Sequence, residues 1–186
     1  MRNFLNLASN VDVMPLLHAV QARQDLWNAE TLRTSHGQSP HTQVDDILLR
    51  FNDLERWKTE ADAASILDEH ESIAFPAWKE LPQARHLVFD LMRRFDAVRL
   101  GRVLITRLVP GGRIEPHEDG GAHAAYYERV HIVLQGLPGS LFHCGGETVC
   151  MRTGEAWWFD NRQTHSVENN SADDRIHMIV DYRIDR

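Results

Sequence analysis

Arg99-Leu100-Gly101-Arg102-Val103-Leu104-Ile105-Thr106-Arg107-Leu108-Val109-Pro110-Gly111-Gly112 is the stretch on which the fold turns. Residues 99–109 are rich in aliphatics, and Pro110-Gly111-Gly112 closes them with a strong turn. The β signature continues downstream. Residues 129–134 alternate Val130, Ile132 and Leu134 against Arg129, His131 and Val133. Residues 141–144, 148–151, Ala156–Phe159 and 176–184 extend the series, separated by Gly, Asn, Asp and Pro. Short strands at this spacing predict a sandwich or jelly roll.

Upstream the chain reads largely helical. One helix is expected over residues 15–30 and a stronger one over 82–98. In the second, Ala84, Leu87, Val88, Leu91, Met92 and Phe95 recur at helical spacing, with Arg85, Asp90, Arg93 and Arg94 mostly opposite. Pro82 suits its first turn. Between the two, Val44–Phe51 predicts a strand leading out of a polar loop at 34–42. The expected architecture is one domain over residues 1–186, mainly β. Residues 99–186 form the jelly roll, packed by N-terminal helices from 1–98, with the site in its interior mouth.

The 186 residues suffice for one sizeable core. Twenty Lys and Arg against 27 Asp and Glu give a formal charge of −7, which argues against a nucleic-acid backbone as partner. The opening Met-Arg-Asn-Phe-Leu lacks the roughly 7–15-residue apolar core of a secretory signal. No apolar run approaches the ~18–20 residues that cross a bilayer. A soluble, cytoplasmic protein is expected. Cys144 and Cys150 are too few for a disulfide scaffold.

The chemistry-bearing residues are Pro116-His117-Glu118-Asp119, His165 and Arg175. A His and an Asp two apart on an extended chain share a face. With a histidine from a distant strand they make a two-histidine, one-carboxylate set for ferrous iron. Such a set leaves positions open for a bidentate keto acid and O2. Pro116 keeps the approach extended, and Gly120-Gly121 lets the chain turn away afterwards. Arg175 lies in a strand whose aliphatics bury one face, so it needs an anionic partner. That partner is either a dicarboxylate co-substrate or an internal carboxylate such as Asp173, Asp174 or Asp160. Arg129 and His131 share a face, which points them into the cavity or makes them the solvated side of an edge strand. Thr106 reaches an anion or bonds to backbone. Trp157, Trp158 and Phe159 are expected to fill the core and wall the pocket. Two rival metal sets are zinc at His143, Cys144 and Cys150, and a cupin-like histidine set of His117, His131 and His165.

The pattern Arg107-Leu-Val-Pro110-Gly-Gly, Pro116-His117-Glu-Asp119, Arg129-Val-His131-Ile, Gly154-Glu155-Ala-Trp157-Trp-Phe159-Asp, His165-Ser-Val167-Glu-Asn169 and Asp174-Arg175-Ile176-His177 closely resembles the aspartyl/asparaginyl β-hydroxylase family. These are 2-oxoglutarate- and iron-dependent oxygenases with a double-stranded β-helix core. The likeness covers about residues 100–183 and is nearer to the bacterial branch, which includes free-amino-acid (proline) hydroxylases. It implies Fe(II) ligands His117, Asp119 and His165. Arg175 falls where an arginine pairs with the distal carboxylate of 2-oxoglutarate, Thr106 where a hydroxyl helps, and His131 where a histidine contacts the keto-acid end. Arg129 falls where an arginine faces the substrate, and a substrate carboxylate is the expected occupant. The vertebrate protein-modifying member has glycine in place of the acidic ligand, so Asp119 argues against carrying over its peptide substrate.

The expected activity is therefore a dioxygenase using Fe(II), 2-oxoglutarate and O2 to hydroxylate a C–H of an amino acid, free or within a peptide or protein. A cupin-like metal protein with other chemistry and a non-enzymatic β-sandwich module are the alternatives. Arg33, His36, His41, Arg50 and the loop at 120–127 are expected to set the substrate.

Overall fold

The computed structural model describes residues 1–35, 39–59 and 63–185. The first half contributes β1 (Phe4–Ala8), α1 (Met14–Ala22), α2 (Leu32–Ser35), β2 (Val44–Phe51), α3 (Leu54–Thr59), α4 (Ala63–Asp68), β3 (Ile73–Ala74), α5 (Ala77–Glu80) and α6 (Gln83–Arg94). The second contributes β4 (Ala97–Leu108), β5 (Arg113–His117), α7 (Gly121–Tyr126), β6 (Glu128–Gln135), β7 (Ser140–Cys144), β8 (Glu147–Val149), β9 (Ala156–Phe159), β10 (His165–Asn169) and β11 (Arg175–Ile184). Seven strands form one sheet in the order β1-β9-β6-β11-β4-β2-β3, and four form a second, β5-β10-β7-β8. Every pairing is antiparallel. The two sheets face each other as a double-stranded β-helix, the jelly roll expected from the sequence.

Strand alternation gives the large sheet two different faces. Ile176, Met178, Val180 and Tyr182 of β11, with Val103 and Ile105 of β4 and Val130, Ile132 and Leu134 of β6, are buried on one side. They pack against Leu16, Leu17 and Val20 of α1 and Ala84, Leu87, Val88 and Leu91 of α6 in the largest apolar cluster. The intervening residues of the same strands face the small sheet. There Phe142, Cys144 and Val167 meet Val133, Trp157 and Phe159 in a second cluster.

The Pro110-Gly111 turn holds as read. Gly112 N–H donates to the Val109 carbonyl at 3.0 Å. Gly111 takes φ +79. A proline followed by a positive-φ glycine is the signature of a type II turn. It swings the chain from the large sheet to the small one.

Several expectations are corrected. The helix expected over 15–30 stops at Ala22, followed by a short 3-10 turn at Gln24–Leu26 that buries Leu26. The one expected over 82–98 ends at Arg94, where Asp96 adopts φ +50 and releases the chain into β4. The N-terminal half supplies β1 and β3 to the large sheet besides the expected β2. β1 carries a register shift between Asn6 and Ala8, which breaks the period-2 pattern that would reveal a strand. The loop expected at 120–127 is mostly helical. Asp68 Oδ1 accepts the His123 N–H at 2.9 Å, so the first turn of α7 is capped from 55 residues away. A Cβ on Gly121 would lie 2.3 Å from that oxygen, so glycine is required there.

Candidate metal centre and co-substrate pocket

Strand register brings the distant histidines together. His165 of β10 is directly opposite His117 at the end of β5. Their rings lie 4.2 Å apart, centroid to centroid. Asp119 follows two residues later, its N–H donating to the Asn161 carbonyl at 3.0 Å. One ligand atom from each of His117, Asp119 and His165 falls within 4.8 Å of the others.

Each of the three is oriented by a bond on its far side. His117 Nδ1 bonds the Glu115 carbonyl at 2.7 Å and His165 Nδ1 bonds that of Gln163 at 2.9 Å. A carbonyl only accepts, so both Nδ1 atoms carry the proton and both Nε2 lone pairs are free for a metal. Asp119 Oδ2 accepts from Arg129 Nη1 at 2.7 Å and Asn161 Nδ2 at 3.1 Å. Its Oδ1 is left 3.9 Å from His117 Nε2. Burial opposes the charge on Asp119, but Arg129 and then His165 outweigh it, so its pKa lies below the usual carboxylate value. Burial lowers the pKa of His165 and keeps it a neutral ligand. One anionic and two neutral donors, each with its outer atom satisfied, fit ferrous iron.

Beside this set lies a cavity of about 430 Å³. His117, Asp119, Arg129, His131, His165, Thr106 and Arg175 all line it, so the expected metal, co-substrate and substrate residues open onto one space; of the aromatics expected to wall it, Phe159 does, and Trp157 and Trp158 do not. Arg175 is 2% exposed. Its guanidinium stands 5.7 Å over the Phe142 ring and donates through Nη2 to His177 Nδ1 at 3.0 Å. It has no carboxylate partner among the described residues; the alternative of pairing with Asp160, Asp173 or Asp174 is not adopted. Burial without a counter-charge pushes its pKa down to about 9, which still leaves a cation at neutral pH. Thr106 lies opposite His177 in the neighbouring strand and is 3% exposed.

His131 and His177 are also buried, with Nδ1 atoms 3.3 Å apart. Arg175 can only donate, so His177 Nδ1 is the acceptor and His131 Nδ1–H points toward it. Burial, and then the Arg175 charge, holds the pKa of both well below 6.5.

Arg129 departs from expectation. Its Nε and Nη2 donate to Asp181 at 2.9 and 3.0 Å, and Nη1 to Asp119. A fork expected to grip a substrate carboxylate is filled by two protein carboxylates. The two raise the Arg129 pKa against its burial. Asp181 Oδ2 also accepts from His123 Nε2–H at 3.0 Å. Asp181, Asn161 and His177 were not singled out as site residues. Asp181 had a legible signal: it is a lone carboxylate on the Arg175 face of an aliphatic strand.

The other expected specificity residues divide. Arg33 lines the cavity but is paired bidentate with Asp46, at 2.7 and 2.6 Å. His41 sits edge-on to His117, centroids 4.9 Å apart. Arg50 bonds the Ser72 and Gly101 carbonyls and does not line the cavity. His36 lies outside the described residues. The Cys144 and Cys150 thiols point at the Asp160 and Leu137 carbonyls rather than at a common zinc position.

Comparison with known proteins agrees with this geometry. Over 118 residues the chain is 28% identical to the L-proline cis-4-hydroxylase of Rhizobium meliloti (strain 1021), covering 60% of this chain and 39% of that protein's length. Two solved structures share the fold. A prolyl-4-hydroxylase from Pseudomonas putida matches over 99% of this chain and 94% of its own, with TM-score 0.53 and 12% identity. An oxidoreductase of the 2OG-Fe(II) oxygenase family from Burkholderia pseudomallei matches over 75% and 66%, with TM-score 0.53 and 16% identity. The sequence profile of the aspartyl/asparaginyl β-hydroxylases matches residues 18–184. This chain belongs to the aspartyl/asparaginyl β-hydroxylase family.

Proposed function

We propose that the protein is an Fe(II)- and 2-oxoglutarate-dependent dioxygenase that hydroxylates a C–H bond of an amino acid. One observation carries the reading: the buried Arg175, with no carboxylate partner among the described residues, shares a cavity with the oriented His117, Asp119 and His165 set. A buried charge left unpaired is costly. A diacid chelated at one end by the metal and clasped at the other by a guanidinium resolves that cost.

His117, Asp119 and His165 would hold the iron. Bound there, ferrous iron supplies the oxidative decarboxylation of 2-oxoglutarate with O2 and the transfer of one oxygen atom to substrate. The protein's own residues orient and shield. Arg175, with Thr106 lining the same cavity, fixes the far carboxylate by charge-assisted hydrogen bonds. His131 donates from Nδ1 toward His177, which turns its Nε2 away as an acceptor and locks the ring against Phe142 and Phe159. Arg129 and Asn161 hold Asp119 ionised and aimed. Phe142, Phe159, Ile114 and Val167 line the cavity with apolar surface that excludes water. Two free thiols agree with a reducing cytoplasmic setting. The test is succinate release from 2-oxoglutarate with Fe(II), across free amino acids and peptides. Keto-acid turnover stimulated by one class supports the reading, and none with any class contradicts it.

A further inference from the structure

Four arginines line the cavity: Arg33, Arg102, Arg129 and Arg175. Arg33 is neutralised by Asp46, and Arg129 by Asp119 and Asp181. Arg102 resembles Arg175 instead. Its partners are neutral: Asn52 Oδ1, 2.8 Å from Nε, the Leu67 carbonyl, 2.5 Å from Nη2, and the face of Phe51, 4.4 Å from the guanidinium carbon. Nη1 has no hydrogen-bond partner among the described residues. Burial lowers the Arg102 pKa to about 10, with Asp181 the largest opposing influence.

Charge balance makes this arginine informative. Four arginines set against Asp46, Asp119 and Asp181 leave one positive charge. A divalent metal adds two, and the 2-oxoglutarate dianion at Arg175 removes two. One cation is left over, and among the described residues the one with no carboxylate in hydrogen-bond contact is Arg102. The Phe51 ring beneath it belongs to an apolar cluster with Leu104, against which Leu32, Leu67 and Ile179 pack, and all five line the cavity. An apolar enclosure with a single cation fits a small monoanion of apolar body. A residue inside a peptide lacks the free α-carboxylate that such a site would use.

We infer that Arg102 is the carboxylate anchor for the substrate, and that the substrate is a free amino acid or similar small monocarboxylate with an apolar side chain. The inference rests on the proposed function, which supplies the metal and the keto acid in the charge count.

The experiment uses the full-length protein with Fe(II), without oxygen, in a calorimeter. 2-Oxoglutarate is titrated first. L-Proline, L-valine and L-leucine follow, each beside its carboxamide. The expected result is that at least one free acid binds about 10- to 100-fold more tightly than its amide. Arg102→Gln should erase that preference, and Arg102→Lys should keep part of it. Arg102 also braces Asn52 and Leu67, so a variant that fails to fold leaves the wild-type acid-against-amide comparison to decide. Equal affinity of acid and amide, no binding of any acid, or an intact preference in folded Arg102→Gln overturns the assignment. Acid preference without 2-oxoglutarate binding would sink the proposed function and leave Arg102 standing. 2-Oxoglutarate binding without acid preference would do the reverse.

Discussion

The two faces of the large sheet are built from the same strands and do opposite work. Along β11, Ile176, Met178, Val180 and Tyr182 face the helices, while Arg175, His177 and Asp181 lie on the opposite face, where Arg175 lines the cavity, and all seven are buried. On the helix side the contacts are apolar except at the Tyr182 hydroxyl, so the side chains stabilise the fold through area removed from water. On the cavity side an unpaired guanidinium, two neutral histidines and a carboxylate are held away from water, and each carries a desolvation cost. Tyr182 marks the contrast: its hydroxyl is satisfied by the Val88 carbonyl at 2.8 Å, whereas His177 Nε2 has no partner among the described residues. One face funds the fold and the other carries polar groups suited to ligands.

Substitutions on the two faces should therefore separate stability from binding. The largest functional effect is expected at the metal set: His165→Ala or Asp119→Ala should reduce 2-oxoglutarate turnover to background, measured as succinate release. Next, Arg175→Leu should raise the 2-oxoglutarate requirement by about 10- to 100-fold. In thermal or urea unfolding without ligand, the same variant should be more stable by about 1–3 kcal/mol, because an unpaired buried charge is gone. Met178→Ala, three residues along on the opposite face, should cost about 2–5 kcal/mol and leave the keto-acid affinity of the folded fraction unchanged. A destabilised Arg175→Leu would break the comparison.

A smaller effect sharpens it. Asn161→Ala leaves the three ligands but removes a bond that aims Asp119, and should weaken metal affinity by about 10- to 100-fold in a competition titration. The histidines give a pH signature. Unfolded, His131 and His177 take up protons near pH 6.5; folded, both stay neutral far below that. The unfolded chain then binds more protons, so stability is lost as pH falls from about 6.5, by up to about 1.4 kcal/mol per pH unit for each. Midpoints from urea unfolding between pH 7 and 5 should fall, and less steeply in His177→Phe.

Legibility in the sequence follows the same division. The jelly roll was readable because β4, β6 and β11 are aliphatic-rich runs set off by turn residues, and β2 lies at the limits expected of it. β1 was hidden by its bulge and α7 by a cap supplied from Asp68, both non-local effects that no window of sequence contains. His117, Asp119, His165 and Arg175 stood out because polar groups at strand spacing in apolar surroundings need a reason. Which arginine meets which carboxylate was not readable. Arg129 and Arg102 are both strand-borne cations, but the register sets Asp181 opposite Arg129 and Asp119 reaches it from beyond β5, whereas Arg102 meets no carboxylate among the described residues.

The most direct measurement is an anaerobic absorption titration of the protein with Fe(II) and 2-oxoglutarate. A visible charge-transfer band that needs both components, is lost in Asp119→Ala and His165→Ala, and requires about 10-fold or more additional 2-oxoglutarate in Arg175→Leu is the predicted result. A colourless mixture, or a band indifferent to these three residues, would contradict the account.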